Sequence, residues 1–162
     1  MVHGPLGVFV TLDEEACPFD ETLHLVPHVV AVGAGCHRDQ DAADMEACIG
    51  QSLAAAHVSP KAVDVLCSID LKANEPAFAQ VADAHGWNLR FYSADELNAV
   101  PGDFEPSEFV KKITGTDNVC ERAALAQGGR LLLGKQKAEG TTAAIACADY
   151  VVRFPVEGES LT

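Results

Sequence analysis

No run in this chain comes near the roughly eighteen consecutive apolar residues that a membrane-spanning helix needs. The first twenty residues, MVHGPLGVFVTLDEEACPFD, have neither a basic start nor a long apolar segment, so no secretory signal is expected and the expected location is cytoplasmic. Cations are scarce: 11 Lys and Arg stand against 24 Asp and Glu, for a formal net charge of -13 and a pI near 4.6. A phosphate backbone needs dense Lys/Arg neutralisation, so this balance excludes sequence-independent nucleic-acid binding, and an aromatic content of only 6% points the same way. Paired cysteines are also lacking. The closest of the six, Cys36 and Cys48, are twelve positions apart, so there is no CxxC zinc or redox pair and no metal site is expected. Cys48, Cys67 and Cys147 sit in apolar runs and read as buried free thiols acting as small hydrophobes.

What is present is enough apolar material for one core: 48% hydrophobic residues in 162, with no internal repeat and no linker. The whole chain reads as a single domain with its core at 28–148 and peripheral segments at 1–27 and 149–162. Apolar runs alternate with helical patterns. HVVAVGAGC (28–36) reads as a strand ending in a Gly-rich turn, and 39–57 as a helix with Ala42, Met45, Ile49, Leu53 and Ala56 on one face. Its first turns carry Asp39, Asp41 and Asp44, where the helix dipole favours acids. AVDVLCSI (62–69) is the second strand. Pro76 then suits the first turn of a helix capped by Asn74 or Glu75 and stopped by Gly86.

WNLRFYS (87–93) is the third strand, and Ser93 with Glu96 forms a capping box for a short helix. Ser107 is placed to cap another helix to Thr114, and Asn118 with Glu121 repeats the box for a helix across VCERAALAQ. RLLLG (130–134) and TTAAIACA (141–148) are joined only by KQKAEG, too short for a helical crossover, so they pair antiparallel. The expected fold is a three-layer α/β/α sandwich on a mixed, mostly parallel sheet of about five strands, with an antiparallel hairpin near the C-terminus. GVFVT (7–11) reads as an extra edge strand, and DEEACPFDE and the tail VEGESLT as solvated surface.

In open α/β sheets, ligands gather beyond the carboxyl ends of the parallel strands. Three loops qualify here: Gly33 to Asp39, containing Gly35, Cys36 and Arg38; Asp70 to Glu75, containing Lys72; and Ser93 to Asp95. The first is no dinucleotide fingerprint, because the third glycine of GxGxxG falls on Arg38. A thiol near a helix N-terminus beside a guanidinium would have a depressed pKa, which makes Cys36 a candidate nucleophile; an ordinary turn cysteine is the competing reading. For Asp70 and Lys72, the competing reading is a surface ion pair of small energetic value.

Taken together, AVGAGCHRD, CSIDLKANEPAF, LRFYSADEL and LLLGKQKAEGTTAAIA resemble, in order and spacing, the CobE/CbiG C-terminal domain family of cobalamin biosynthesis over about residues 28–148. SIDLKANEPAF is the most specific match. Where the family shows Gly-Cys-Arg-Arg-Gly, this chain has Gly35-Cys36-His37-Arg38-Asp39. The resemblance implies an α/β/α domain that handles a corrin-ring intermediate, of the precorrin or hydrogenobyrinic-acid type, with no cofactor of its own. In CbiG-like proteins a larger chain opens the ring-A δ-lactone of cobalt-precorrin-5A with release of acetaldehyde, whereas CobE-like proteins are standalone versions. Fewer than thirty residues precede the first matched strand, which favours the CobE-like reading.

Precorrins carry acetate and propionate carboxylates on a flat apolar macrocycle, so their site needs convergent cations, free N–H groups and an apolar floor. Arg38, Lys72 and Lys135 are the candidate cations. Gly33, Gly35, Cys36, Asp70, Glu75 and Ser93 complete the candidate binding set, and Cys36, Asp70 and Glu75 are the catalytic candidates if lactone hydrolysis occurs. A third reading is a docking module for a precorrin methyltransferase or another enzyme of the pathway.

Overall fold

The computed structural model describes residues 4–104 and 108–153. Its first two strands, β1 (Leu6–Val10) and β2 (Glu21–Leu25), pair parallel as a small sheet of their own. GVFVT therefore does not extend the edge of the main sheet. Its inner face is occupied instead by Phe19 from the connecting segment, so close that a Cβ at Gly7 would lie 2.4 Å from the Phe19 ring. The acidic connection is not simply solvated either. Glu14 accepts hydrogen bonds from Lys61 Nζ at 2.8 Å and from Ser59 Oγ, and these two donors hold its carboxyl below the usual range.

The main sheet contains β3 (Val30–Cys36), β4 (Val63–Ile69), β5 (Asn88–Tyr92), β6 (Arg130–Ala138) and β7 (Thr141–Cys147), in the order β5-β4-β3-β7-β6. β3, β4 and β5 run parallel; β7 is antiparallel to both β3 and β6, so β6 points the same way as β3. The expected mixed sheet with a C-terminal hairpin is present. The hairpin is tighter than expected, because β6 continues through Lys137 and the turn shrinks to Glu139 and Gly140, with φ of 48° and 78°. Two consecutive positive φ angles match the right-handed twist of the flanking strands, which is why a short Glu-Gly pair suffices.

α1 (Ala42–Ala55) and α2 (Pro76–His85) cover one face of the sheet, and α3 (Ala94–Asn98) and α5 (Val119–Leu125) the other, with α4 (Glu108–Thr114) preceding α5. α1 starts at Ala42 because Asp41 is its N-cap, accepting from Ala43 N at 2.8 Å. Met45, Cys48, Ile49, Ser52 and Leu53 form its buried stripe. α2 begins on Pro76 and ends on Gly86 in the left-handed conformation, φ 71°. α3 has the expected reciprocal box, Ser93 Oγ accepting from Glu96 N at 3.2 Å and Glu96 Oε2 from Ser93 N at 2.7 Å. At α5 the reciprocal backbone bond of the box is absent: Asn118 Oδ1 accepts from Glu121 N, while the Glu121 carboxylate accepts from Asn118 Nδ2 at 2.7 Å and from Lys135 N on β6 at 2.8 Å. The Ser107 cap and the VEGESLT tail lie outside the described residues.

The core is double. Val30, Val32, Leu66, Phe78, Val81 and Ile145 pack under α1 and α2, and Val65, Cys67, Ile69, Leu97, Val119 and Ala123 under α3 and α5. β3 is apolar along most of its length because it is buried on both faces.

Candidate functional site at the carboxyl edge of the sheet

β3 passes through both of its glycines and ends at Cys36, so neither Gly33 nor Gly35 forms the turn expected of them. Gly33 is a packing glycine. A Cβ there would lie 1.8 Å from Cys120 O and 2.7 Å from Ala124 N, so α5 rests directly on the β3 backbone. At Gly35 a Cβ would come within 2.9 Å of Thr142 Oγ1, a side-chain atom with some freedom to move.

The turn proper is residues 37–41, and it is held from both sides. His37 N donates to Gly140 O at 3.1 Å, and Gln40 Nε2 donates to Glu139 O at 2.9 Å, which ties the loop to the β6–β7 hairpin. On the other side Asp39 N donates to Glu75 Oε2 at 3.0 Å. Asp39 adopts the left-handed conformation with φ 58°, at the position where the resembling family has glycine. Aspartate tolerates this region better than most residues, so the loop keeps the turn without the glycine.

SIDLKANEPAF is the other half of the site. After β4 the chain makes a single 3₁₀ turn, Asp70–Lys72, closed by Ala73 N donating to Asp70 O and Glu75 N donating to Lys72 O, each at 3.0 Å. Glu75 occupies the N-cap of α2 yet makes no capping bond with its side chain. Its carboxylate is used across the gap, on the loop 36 residues earlier in sequence. Lys72 is half-buried and lies near enough to Cys36 to bias its thiol electrostatically, while Asp70 is exposed and Leu71 leaves 60% of its surface to solvent. The ion pairs among the described residues involve neither Arg38 nor Lys72. The opposite charges in this stretch therefore have separate tasks: one acid secures the neighbouring loop, and the cation stays available.

Cys36 does not have the depressed pKa expected of a nucleophile. Burial pushes its thiol up, and the opposing effect of Lys72 is the smaller one. α1 begins only at Ala42, too far along the chain for its N-terminus to stabilise a thiolate at Cys36.

The structure brings together Cys36, Arg38, Lys72 and Glu75, with Asp70 at the start of the same turn. Gly35 stands next to Cys36 within β3, while Gly33, Ser93 and Lys135 are not brought in. Gly33 is buried beneath α5, and the Ser93 hydroxyl is committed to the α3 cap. Lys135 lies on β6, three strand positions from β4, or about 14 Å of lateral spacing. Its backbone N–H donates to Glu121 Oε1 at 2.8 Å on the α5 side. Sequence reasoning missed Gln40 and the Glu139-Gly140 turn as parts of this edge, and gave His37 no role beyond its place in the first loop. The signal available was the Glu-Gly pair between two apolar runs, which marks a two-residue hairpin whose tip must lie beside the end of β3. Among the described residues no group of three or more His, Cys, Asp or Glu side chains converges as a metal site would require, and no helix is long and apolar enough to cross a membrane.

Comparison with known proteins follows the same outline. Residues 30–146 match the family model described as cobalamin synthesis G C-terminus. The chain is 39% identical over 126 residues to a cobalt-precorrin-5A hydrolase of Priestia megaterium, covering 76% of this chain and 33% of that protein. It is 35% identical over 121 residues to Protein CobE of a Sinorhizobium species, covering 72% of this chain and 79% of the relative. The chain thus spans about a third of the length of the hydrolase and most of the length of the CobE protein. Among solved structures, CobE from the cobalamin (vitamin B12) biosynthetic pathway superposes with a TM-score of 0.69 at 30% identity, covering 76% of this chain and 92% of that one.

Proposed function

Because the chain belongs to the cobalamin synthesis G C-terminus family, as a CobE- and CbiG-like protein of cobalamin biosynthesis, we propose that it binds a corrin-ring intermediate at the carboxyl edge of its sheet. The observation that supports this reading most directly is the strapped loop. Hydrogen bonds at His37 N and Asp39 N fix the backbone on both sides of Arg38 and hold it against the turn that carries Lys72. Two cations without ion pairs, on neighbouring preorganised turns, suit the acetate and propionate groups of a precorrin. Leu71, next to Lys72 in the same turn, adds exposed apolar surface for the macrocycle. The rest of the surface, at a net charge of -13, repels anions, so a polycarboxylate binds where cations are concentrated or not at all. Glu75 serves this site by positioning the loop. Lys135 lies on β6, two strands from β3, and not on either of these turns.

Titration with hydrogenobyrinic acid, followed in the visible spectrum, tests the reading. Lys72→Ala and Arg38→Ala should each weaken binding by about 1.5 to 3 kcal/mol, the scale of a hydrogen bond to a charged group, and the exposed Lys111→Ala should do almost nothing. The absence of any saturable spectral change, or unchanged affinity in both variants with the fold intact by circular dichroism, would refute it.

Identity to the hydrolase supports lactone opening as a second reading. Burial disfavours the Cys36 thiolate and Glu75 is engaged with Asp39, which leaves exposed Asp70 as the group open to activate water. Release of acetaldehyde from a lactone-bearing precorrin, lost in Asp70→Asn, would identify that activity; stoichiometric binding without release would leave the carrier reading.

A further inference from the structure

A cavity among the described residues lies away from this edge, and neither reading above uses it. It has a volume of about 490 Å³ and opens beside the edge strand β5, between α3 and the C-terminal end of α5. Its polar end is Arg90 and Tyr92, which share one face of β5, with the guanidinium carbon 5.1 Å from the centre of the tyrosine ring. The rest of the wall is largely apolar: Val100, Pro101, Leu125 and Ala126. Gly128 and Gly129, both at φ 90°, finish it with bare backbone. A Cβ at Gly128 would meet nothing within 4 Å, so the cavity is open at that point.

Tyr92 is only 5% exposed, and its buried hydroxyl faces Gln127 and Cys67, not the cavity. The charge balance of the cavity is decided. Arg90 and Glu96 are the two charged side chains lining the cavity, and the Glu96 carboxylate already accepts from Ser93 N in the α3 capping box. Arg90 has the ring of Tyr92 beneath it and no carboxylate partner among the described residues.

We propose that this cavity binds a small organic carboxylate, its anionic end on Arg90, its apolar body against Val100, Pro101, Leu125 and Ala126. The volume exceeds what a bare inorganic anion fills, and the apolar walls select against one. The site is independent of corrinoid binding at the carboxyl edge, and evidence for either does not depend on the other.

Benzoate and its neutral counterpart benzamide are the probes, read by amide chemical shifts of the full chain. Benzoate should produce saturable shifts confined to residues 90–92, 96–101 and 125–129, and benzamide should bind at least fivefold more weakly. Arg90→Gln should weaken benzoate about tenfold and leave benzamide unchanged, since the loss is that of a charge-assisted pair. Ala126→Leu, at a half-buried helix-end position with ordinary backbone angles, fills the cavity and should weaken both probes while the fold stays intact. Shifts scattered over the surface, equal affinity for the two probes, or benzoate binding that survives Arg90→Gln undiminished would each overturn the proposal.

Discussion

Replacing Gly33 by alanine separates a packing glycine from a ligand-binding one. The added Cβ would stand 1.8 Å from Cys120 O, 2.7 Å from Ala124 N and 2.8 Å from Cys120 C, all of them backbone atoms of α5. No side-chain rotation relieves such a clash, so the helix must withdraw by roughly 1 Å or more, loosening contacts that bury Val119, Cys120, Ala123 and Ala124. Overpacking of this kind costs about 3 kcal/mol at the upper end of its usual range, offset by about 0.5 to 1 kcal/mol because alanine has less conformational entropy to lose than glycine. A net loss of about 2 kcal/mol lowers the melting temperature by about 4 to 8 °C for a chain of this length. Gly35→Ala is the matched control. Its obstacle is the Thr142 hydroxyl, which rotates away at the expense of a 3.4 Å bond to Gly35 O, so the change should stay within about 1 kcal/mol. Urea denaturation of both variants gives the comparison. A Gly33→Ala protein as stable as the parent but unable to bind a corrinoid would refute the argument and return Gly33 to the ligand site.

Asp39→Gly removes the strain of a left-handed aspartate, φ 58°, while keeping the backbone N–H that Glu75 holds, and should raise stability by about 0.5 to 1 kcal/mol in the same assay. Among the cysteines, exposed Cys17 should be alkylated first by iodoacetamide; the rate at Cys36 should rise only above the usual thiol range, because burial raises its pKa. Burial also pushes the Cys67 thiol up to about 12 and Cys120 to about 11, from an ordinary value of 9.0. The folded state keeps these protons where the unfolded chain loses them, so the contribution is fully present below pH 9 and is lost as pH rises through the folded values. Urea melts between pH 8 and 11 should show the decline, and Cys67→Ala should flatten it.

The elements of the main sheet and its helices were determined by local chemistry. Runs such as VDVLCSI make strands buried on both faces, and Met45, Ile49 and Leu53 at helical spacing make a helix with one apolar stripe. Ser93 with Glu96, Pro76 and Gly86 set helix ends through bonds and backbone angles that span only a few residues. Such interactions are written in consecutive positions, and the resemblance carried by SIDLKANEPAF rests on the same kind of information. What only the tertiary structure decided are the contacts between segments far apart in sequence. β1 pairs with β2 instead of joining the main sheet, with the Phe19 ring packed against Gly7. The Glu75 carboxylate leaves its own helix to hold Asp39, since strand order places the two turns side by side. Gly33 serves helix packing because α5 crosses β3 at that residue, and Cys36 keeps its proton because burial outweighs the charge of Lys72. Burial and electrostatic environment depend on which elements stack against one another, and that is settled only when the sheet closes on its helices.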